Sequence, residues 1–205
     1  MNKVYLYGAS GHGKVVAEIL EKNNSSIPAV FDDNPAGTHL LDYPVQRPFA
    51  PDSFPGDAQL IITIGNNSIR KKIAQQLSGV QFATAVHPAA SISARSSIGA
   101  GTVIMAGVSV NSSVAMGQHV ILNTNCSVDH DCELGDFVHI SPNAALAGNV
   151  KVGEGTHVGI GACVIQGMNI GSWAIIGAGT VVITDVPDHA VVVGNPGKII
   201  RYTKK

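Results

Sequence analysis

Charge is scarce in this sequence: Asp, Glu, Lys and Arg make up only 13% of its 205 residues, and they sum to a formal −1. Without a basic excess there is no electrostatic footing for nucleic acid or an anionic membrane, so neither is expected as a partner. An acidic ligand must then be held by local contacts. Aromatic residues are few, with five Phe and one Trp against 23 Gly, a balance that fits tight turns and small or branched packing residues better than a helical bundle. The three cysteines, Cys126, Cys132 and Cys163, are odd in number and lack CxxC spacing. That argues against a disulfide framework or a zinc site and leaves them as small buried apolar residues. No apolar run approaches the roughly 18 residues needed to span a bilayer. The opening "MNKVYLYGASGHGKVV" runs into glycines instead of a signal-peptide core and cleavage site, so a cytoplasmic protein is expected.

What is present divides into two grammars. "KVYLY" is a short β-prone run, "GASGHG" a glycine turn, and "KVVAEILEKN" has the apolar spacing of a helix face. "IPAVFDD" and "QLIITIGNN" read as further strands, "SIRKKIAQQL" as a second helix, and "FATAVHP" as a candidate fourth strand. Strands alternating with helices predict a small parallel α/β sheet over residues 1–85, covered by helices on its faces.

From Ile92 to Pro187 the chain falls into sixteen consecutive six-residue blocks, each beginning with Ile, Val, Leu or Met and each carrying a small or apolar fifth residue. Such a period marks a parallel β-helix, here residues 86–205 with a carboxy-terminal tail. Two inward residues per side let three sides close a triangular coil, so sixteen blocks make a little over five coils. Glycine recurs at the second position (Gly99, Gly117, Gly135, Gly153, Gly159, Gly171, Gly177), which suits sharp turns or close backbone approach. No block is longer or shorter than six, so no loop is extruded.

Polar residues with chemical potential sit at a few places on this frame. The glycine turn lies between a strand and a helix, where backbone N–H groups favour a phosphate, although it is not a strict GxGxxG. Asp32 and Asp33 end the second strand, where an acid can meet a ribose or base edge. Gly65, Asn66 and Asn67 fall on the same edge, and Arg70 is a candidate phosphate contact. Cys132 in "SVDHDCELGDFVH" and Cys126 just ahead of it occupy inward positions, which separates them from any outer histidine site and disfavours a joint metal cluster. Asp129 and Glu133 read as solvated faces. His139 and His157 are 18 residues apart, one whole coil, and so are expected to stack on the same corner, lining a cofactor groove or forming an exposed ladder.

The repeat resembles the hexapeptide acyltransferases, and the tail "VVVGNPGKIIR" is similar to their closing motif. "YLYGASGHGKVVAEI", "FDD" and "ITIGNNSIRKKIAQQL" ahead of the β-helix narrow the likeness to the sialic acid O-acetyltransferase and UDP-4-amino-sugar N-acetyltransferase group, nearest to the bacillosamine-pathway enzymes. The resemblance implies a Rossmann-like α/β domain followed by a left-handed parallel β-helix. It also implies a homotrimer with acetyl-CoA bound between neighbouring helices, and acetyl transfer to the C4 amine of a UDP-linked 4-amino-4,6-dideoxy sugar. His130 matches the family's general base and Asp131 the acid that follows it, where bacillosamine enzymes usually carry Glu. His139 matches a second histidine near the acetyl carbonyl. Ser10, Gly11, His12 and Gly13 would contact the diphosphate or sugar, Asp32 or Asp33 the nucleoside, with Gly65, Asn66 and Asn123 completing the acceptor side. His139, His157, Gly161, Gly179 and Lys198, with Arg201 nearby, would line the coenzyme surface, and no metal is expected. Two other readings stay open: acetylation of a hydroxyl on a sialic acid or related sugar, and a noncatalytic or zinc-dependent β-helix, for which His130, His139 and His157 supply three histidines.

Overall fold

The computed structural model describes residues 2–48 and 54–203. Five strands form the first sheet: β1 (Val4–Tyr7), β2 (Val30–Phe31), β3 (His39–Leu40), β4 (Tyr43–Gln46) and β5 (Gln59–Ile62), in the order β3-β4-β2-β1-β5. All pairs are parallel except the β3–β4 hairpin, which the sequence pattern did not reveal. Helix α1 (Gly11–Lys22) starts inside the glycine turn, and α2 (Asn67–Gln76) follows β5. Side chains alternate across β1, so Val4 and Leu6 pack with Val16, Ile19 and Leu20 of α1, whereas Tyr7 packs with Ile73 of α2 on the other face. The turn needs its glycines: Gly8 has φ +125°, and a Cβ on Gly13 would lie 2.5 Å from the Gly8 carbonyl oxygen.

The hexad repeat winds into a left-handed parallel β-helix of three faces. Strands at Ser91, Ser109, Ser127, Ala145, Cys163 and Val181 begin the first face; those at Ser97, Ala115, Glu133, Lys151 and Asn169 begin the second. The third runs through Ala85–Val86, Val103–Ile104, Ile121–Leu122, His139–Ile140, His157–Val158, Ile175–Ile176 and Ala190–Val193, and the tail strand Lys198–Tyr202 closes it antiparallel. First-position residues such as Ile104, Leu122, Ile140 and Ile176 and fifth-position residues such as Val120, Cys126, Cys132 and Val138 are fully buried along the axis. Cys163 differs from its sequence reading: it holds the sixth, outward position and is exposed.

Chain reversal also falls at a different position from the one the glycines suggested. The fourth residue of fourteen successive blocks, from Gly101 to Gly179, has φ between +54° and +75°. Gly, Asn, Asp and Ser fill most of these left-handed sites at low cost. The second-position glycines serve close approach instead: a Cβ on Gly135 would sit 2.7 Å from the Glu154 amide nitrogen, and one on Gly99 2.2 Å from the Gly117 carbonyl oxygen.

One corner, between the second and third faces, breaks the small-residue rule with His119, Phe137 and Trp173 at left-handed sites 18 or 36 residues apart. It is where the α/β half docks. His119 and Phe137 rings stack at 5.2 Å, and Phe82 meets His119 edge-on. Arg70, 1% exposed, donates from Nε to the His119 carbonyl, from one terminal nitrogen to the Phe137 carbonyl and Asn67 Oδ1, and from the other to the Ile64 and Gly65 carbonyls, at 2.8–3.3 Å. Asn67 Nδ2 continues the series to the Gly155 carbonyl oxygen at 3.0 Å. Arg70 is therefore spent on backbone and cannot be the phosphate contact its sequence position suggested. "FATAVHP" is likewise reassigned, since Ala85–Val86 pairs with Val103–Ile104 of the β-helix. Val103, Met105 and Ile121 on the third face share a core with α1 and β1, so the two halves bury one continuous apolar surface.

Among the described residues no helix is long and apolar enough to cross a membrane. Gly135→Ala should lower stability by about 1–3 kcal/mol, the usual cost of forcing a methyl into packed backbone; an unchanged urea midpoint would contradict the close-approach role.

Candidate active site

The carboxyl ends of β1, β2 and β5 and the amino ends of α1 and α2 open on one edge of the sheet, the usual place for a ligand in a parallel α/β unit. Ser10 is the N-cap of α1 but makes no side-chain capping bond, and the first turn of the helix carries no acid. The helix end thus presents free donors and a positive dipole to an anion. Ser10 and Gly11 are exposed, and a Cβ at Gly11 or Gly65 would meet nothing within 4 Å. Space is open there. Asn66 caps α2 by accepting from the Ile69 amide at 3.0 Å. Asp32 accepts from the Ala9 and Asn34 amides, so one carboxylate holds the glycine turn in place, while Asp33 accepts from the Tyr7 hydroxyl at 3.0 Å.

Below this edge, a cavity of about 870 Å³ lies between the Gly65–Ser68 loop and the third face, reaching His139, His157, Trp173, His189 and Thr203. His139 and His157 are paired neighbours in strands of the third face, not at a corner, and their rings stack at 4.7 Å with only 4° between planes. Asn123 Oδ1 accepts from the Thr124 amide, which orients the amide so that Nδ2 donates to His139 Nε2 at 3.1 Å. That places the His139 proton on Nδ1, a buried atom, and the Gly65 backbone acts on the ring as a hydrogen-bond partner that opposes the lowering of its pKa. Burial first, then the charges of His157, Arg70 and His12, holds His139 down at about 3. Burial and the Arg70 charge likewise lower His157, whose Nε2 lies 2.7 Å from Ser141 Oγ, and bring His12 to about 4. These imidazoles are neutral at physiological pH.

His130 has the opposite environment. It stands with Asp131 on the corner between the first and second faces, more than half exposed, with Nδ1 2.7 Å from Asp131 Oδ2. Because a carboxylate only accepts, Nδ1 carries the hydrogen and Nε2 keeps the lone pair of a base. The Asp131 hydrogen bond, followed by the Asp129 charge, raises His130 above the ordinary histidine value. Asp129 is more than a solvated face: its Oδ1 accepts from the His130 amide at 2.8 Å and from Asn111 Nδ2 at 2.6 Å. Gly148, one coil on, gives the ring its seat, since a Cβ there would fall 2.6 Å from His130 Cε1. In a triangular coil that corner is opposite the third face. Within one chain, then, His130 and Asp131 do not meet His139, His157 or the cavity.

The remaining candidates group along the third face and its next corner. Gly161 and Gly179 stack one coil apart in left-handed turns, exposed and open to space, and Lys198 and Arg201 are exposed on the tail strand. Trp173, which the sequence reading passed over, floors the cavity: its ring lies over Gly155, and Lys71 Nζ sits 5.2 Å above it while pairing with Glu154. Its signal was a lone tryptophan at a left-handed repeat position. Among the described residues no three His, Cys, Asp or Glu side chains gather as a metal-binding group.

Residues 3–77 match the family described as "PglD N-terminal domain". Over 114 residues the chain is 39% identical to UDP-N-acetylbacillosamine N-acetyltransferase of Bacillus subtilis, a match that spans 52% of this chain and about half the length, 52%, of that curated relative. Among solved structures, PerB from Caulobacter crescentus, in complex with CoA and GDP-perosamine, is 39% identical with a TM-score of 0.91 over 97% of both chains. The acetyltransferase domain of PglB from Neisseria gonorrhoeae is 35% identical with a TM-score of 0.91, over 98% of this chain and all of that one. With both halves matched in order and along nearly their full length, the chain belongs to the hexapeptide-repeat, left-handed β-helix acetyltransferases, within the group of the bacillosamine-pathway enzymes.

Proposed function

We propose that the protein transfers the acetyl group of acetyl-CoA to the C4 amine of a UDP-linked 4-amino-4,6-dideoxy-N-acetylhexosamine, with His130 as general base. The observation that carries this reading is the opposed setting of two kinds of histidine on one scaffold. His130 is exposed, hydrogen-bonded to a carboxylate and raised, whereas His139 is half-buried and held neutral. Environments that push like groups apart separate their tasks, one removing a proton and one donating a hydrogen bond.

In the transfer, His130 Nε2 takes the proton from the attacking nitrogen, whose lone pair forms the new N–C bond at the thioester carbonyl. The C–S bond breaks and CoA leaves as the thiolate, which regains a proton. Asp131 holds the imidazole tautomer and balances the imidazolium charge. His139, a neutral imidazole lining the cavity, is the donor suited to the carbonyl oxygen as it becomes an oxyanion. The open N-terminus of α1, with Ser10, Gly11, His12 and Gly13, suits the diphosphate, and Asp32 and Asp33 at the strand end suit the nucleoside. Gly161, Gly179 and Lys198 would flank the coenzyme.

Because His130 and the cavity lie on opposite sides of one β-helix, this chemistry needs His130 of one subunit to face the cavity of the next. A homotrimer of parallel β-helices meets that need. The relatives support the substrate classes: one is named for UDP-N-acetylbacillosamine, and another holds CoA with GDP-perosamine.

Free CoA should be released from acetyl-CoA in the presence of a UDP-4-amino sugar and not of free or CMP-linked sialic acid; equal turnover with the latter would reassign the reaction to a hydroxyl. His130→Ala should lower kcat by roughly 10²–10⁴-fold while leaving the sedimentation profile unchanged, and full activity in this variant would remove His130 from the mechanism. A base must be unprotonated, so kcat/KM should fall as pH drops through the raised pKa of His130. Asp131→Asn removes the main cause of that raise, so the acid limb should move to lower pH together with a lower plateau; an unmoved limb would dissociate Asp131 from the base.

A further inference from the structure

The buried guanidinium of Arg70 is unusual because its partners are carbonyls. Among the described residues no carboxylate pairs with it. Instead it joins two walls of the cavity. On one side are the Ile64 and Gly65 carbonyls, at the root of the loop that lines the cavity with Gly65, Asn66 and Ser68. On the other are the His119 and Phe137 carbonyls, stacked one coil apart on the β-helix and leading directly into the Ile121 and His139 strands. Asn67, bonded to Arg70, ties the same loop to the next coil at Gly155.

We propose that Arg70 is a positioning residue of the acetyl-transfer site: its fork sets the spacing between the Gly65–Ser68 loop and the His139–His157 stack, and so the width of the cavity in which the acceptor sugar must sit. This rests on the reading of that cavity given above. A fork with donors in fixed directions can hold four carbonyls on two domains at once; a lysine ammonium has the charge without the geometry. The same cation faces a cluster of imidazoles, of which His119, at the docking corner, is lowered by burial and by Arg70 and also feels the Asp136 carboxylate. Arg70 from α2 and His12 from α1 confront His139 and His157 on the third face, and the positive charge favours the neutral form of each imidazole. Arg70 itself remains a cation, drawn down by burial only to about 9. Its charge therefore reinforces the neutral donor state that the mechanism asks of His139.

The test compares Arg70→Lys and Arg70→Met with the unaltered full-length protein, after thermal melts have established that each variant is folded. Steady-state kinetics with acetyl-CoA and the UDP-4-amino sugar should show KM for the sugar raised about tenfold or more in Arg70→Lys, with kcat and KM for acetyl-CoA changed far less. In Arg70→Met the same split should appear, and ring-proton NMR titration should show His139 and His157 protonating at higher pH than in the unaltered protein. A lower melting temperature with an unchanged sugar KM would reduce Arg70 to a structural tie and overturn the proposal. So would a folded Arg70→Met whose histidines titrate as before and whose sugar KM is unchanged. If Arg70→Met does not fold, Arg70→Lys decides on KM alone. Absence of turnover in the unaltered protein would defeat the functional reading instead, and the histidine titration would still report whether Arg70 governs the stack.

Discussion

A charge placed in a protein interior must be met by hydrogen bonds on every side, or the cost is several kcal/mol. Arg70 satisfies that demand with carbonyls that belong to both halves of the molecule, and much else follows. Most carbonyls of the β-helix strands bond to a neighbouring coil, and those that meet Arg70 belong to His119 and Phe137 at turn corners. The α/β half therefore docks on a corner, and on the one corner whose left-handed residues are bulky enough to offer an aromatic wall, His119, Phe137 and Trp173. Docking there covers Val103 and Ile121 and leaves His139 and His157 at the margin of the covered surface, half-buried and facing a cavity.

The hexad repeat made the β-helix legible because its core admits only two inward residues per side, and composition at those positions is forced. The first and fifth positions read correctly throughout, and the stacking of His139 on His157 followed from the 18-residue coil. Turn position did not read correctly, because glycine serves two ends: left-handed φ at the fourth position and close approach at the second. In the α/β half the helix-covered strands were visible as apolar runs. The β3–β4 hairpin was not, since β3 has only two residues and β4 is a short strand that buries neither face fully and carries Pro44. Arg70 was misread for a different reason. A helix-borne arginine near a glycine turn has the same local pattern whether it faces a phosphate or a carbonyl, and only the long-range packing decides between them.

The site shows how one repetitive scaffold can hold the same side chain in two chemical states. On an outer corner His130 keeps its hydration and gains a carboxylate, and the missing side chain of Gly148 makes room for the ring. Under the docked half His139 loses its hydration and gains cationic neighbours, with Asn123 fixing its tautomer. Neither state needs an unusual residue. Both come from which face of the coil the residue occupies and from what is packed over that face.

That dependence on facing gives the unbroken six-residue blocks an evolutionary meaning. Inserting one block ahead of His139 would rotate every later residue by a third of a turn, carrying His139 and His157 from the covered face to a bare one. Only the addition or loss of a full 18 residues would return each later side chain to its own face. Even that would slide His139 along the axis, away from the loop that Arg70 anchors. The far end of the solenoid is bound by the same rule, because the cavity reaches His189 and Thr203, and a coil added between His157 and the tail would carry that wall away from the histidine stack.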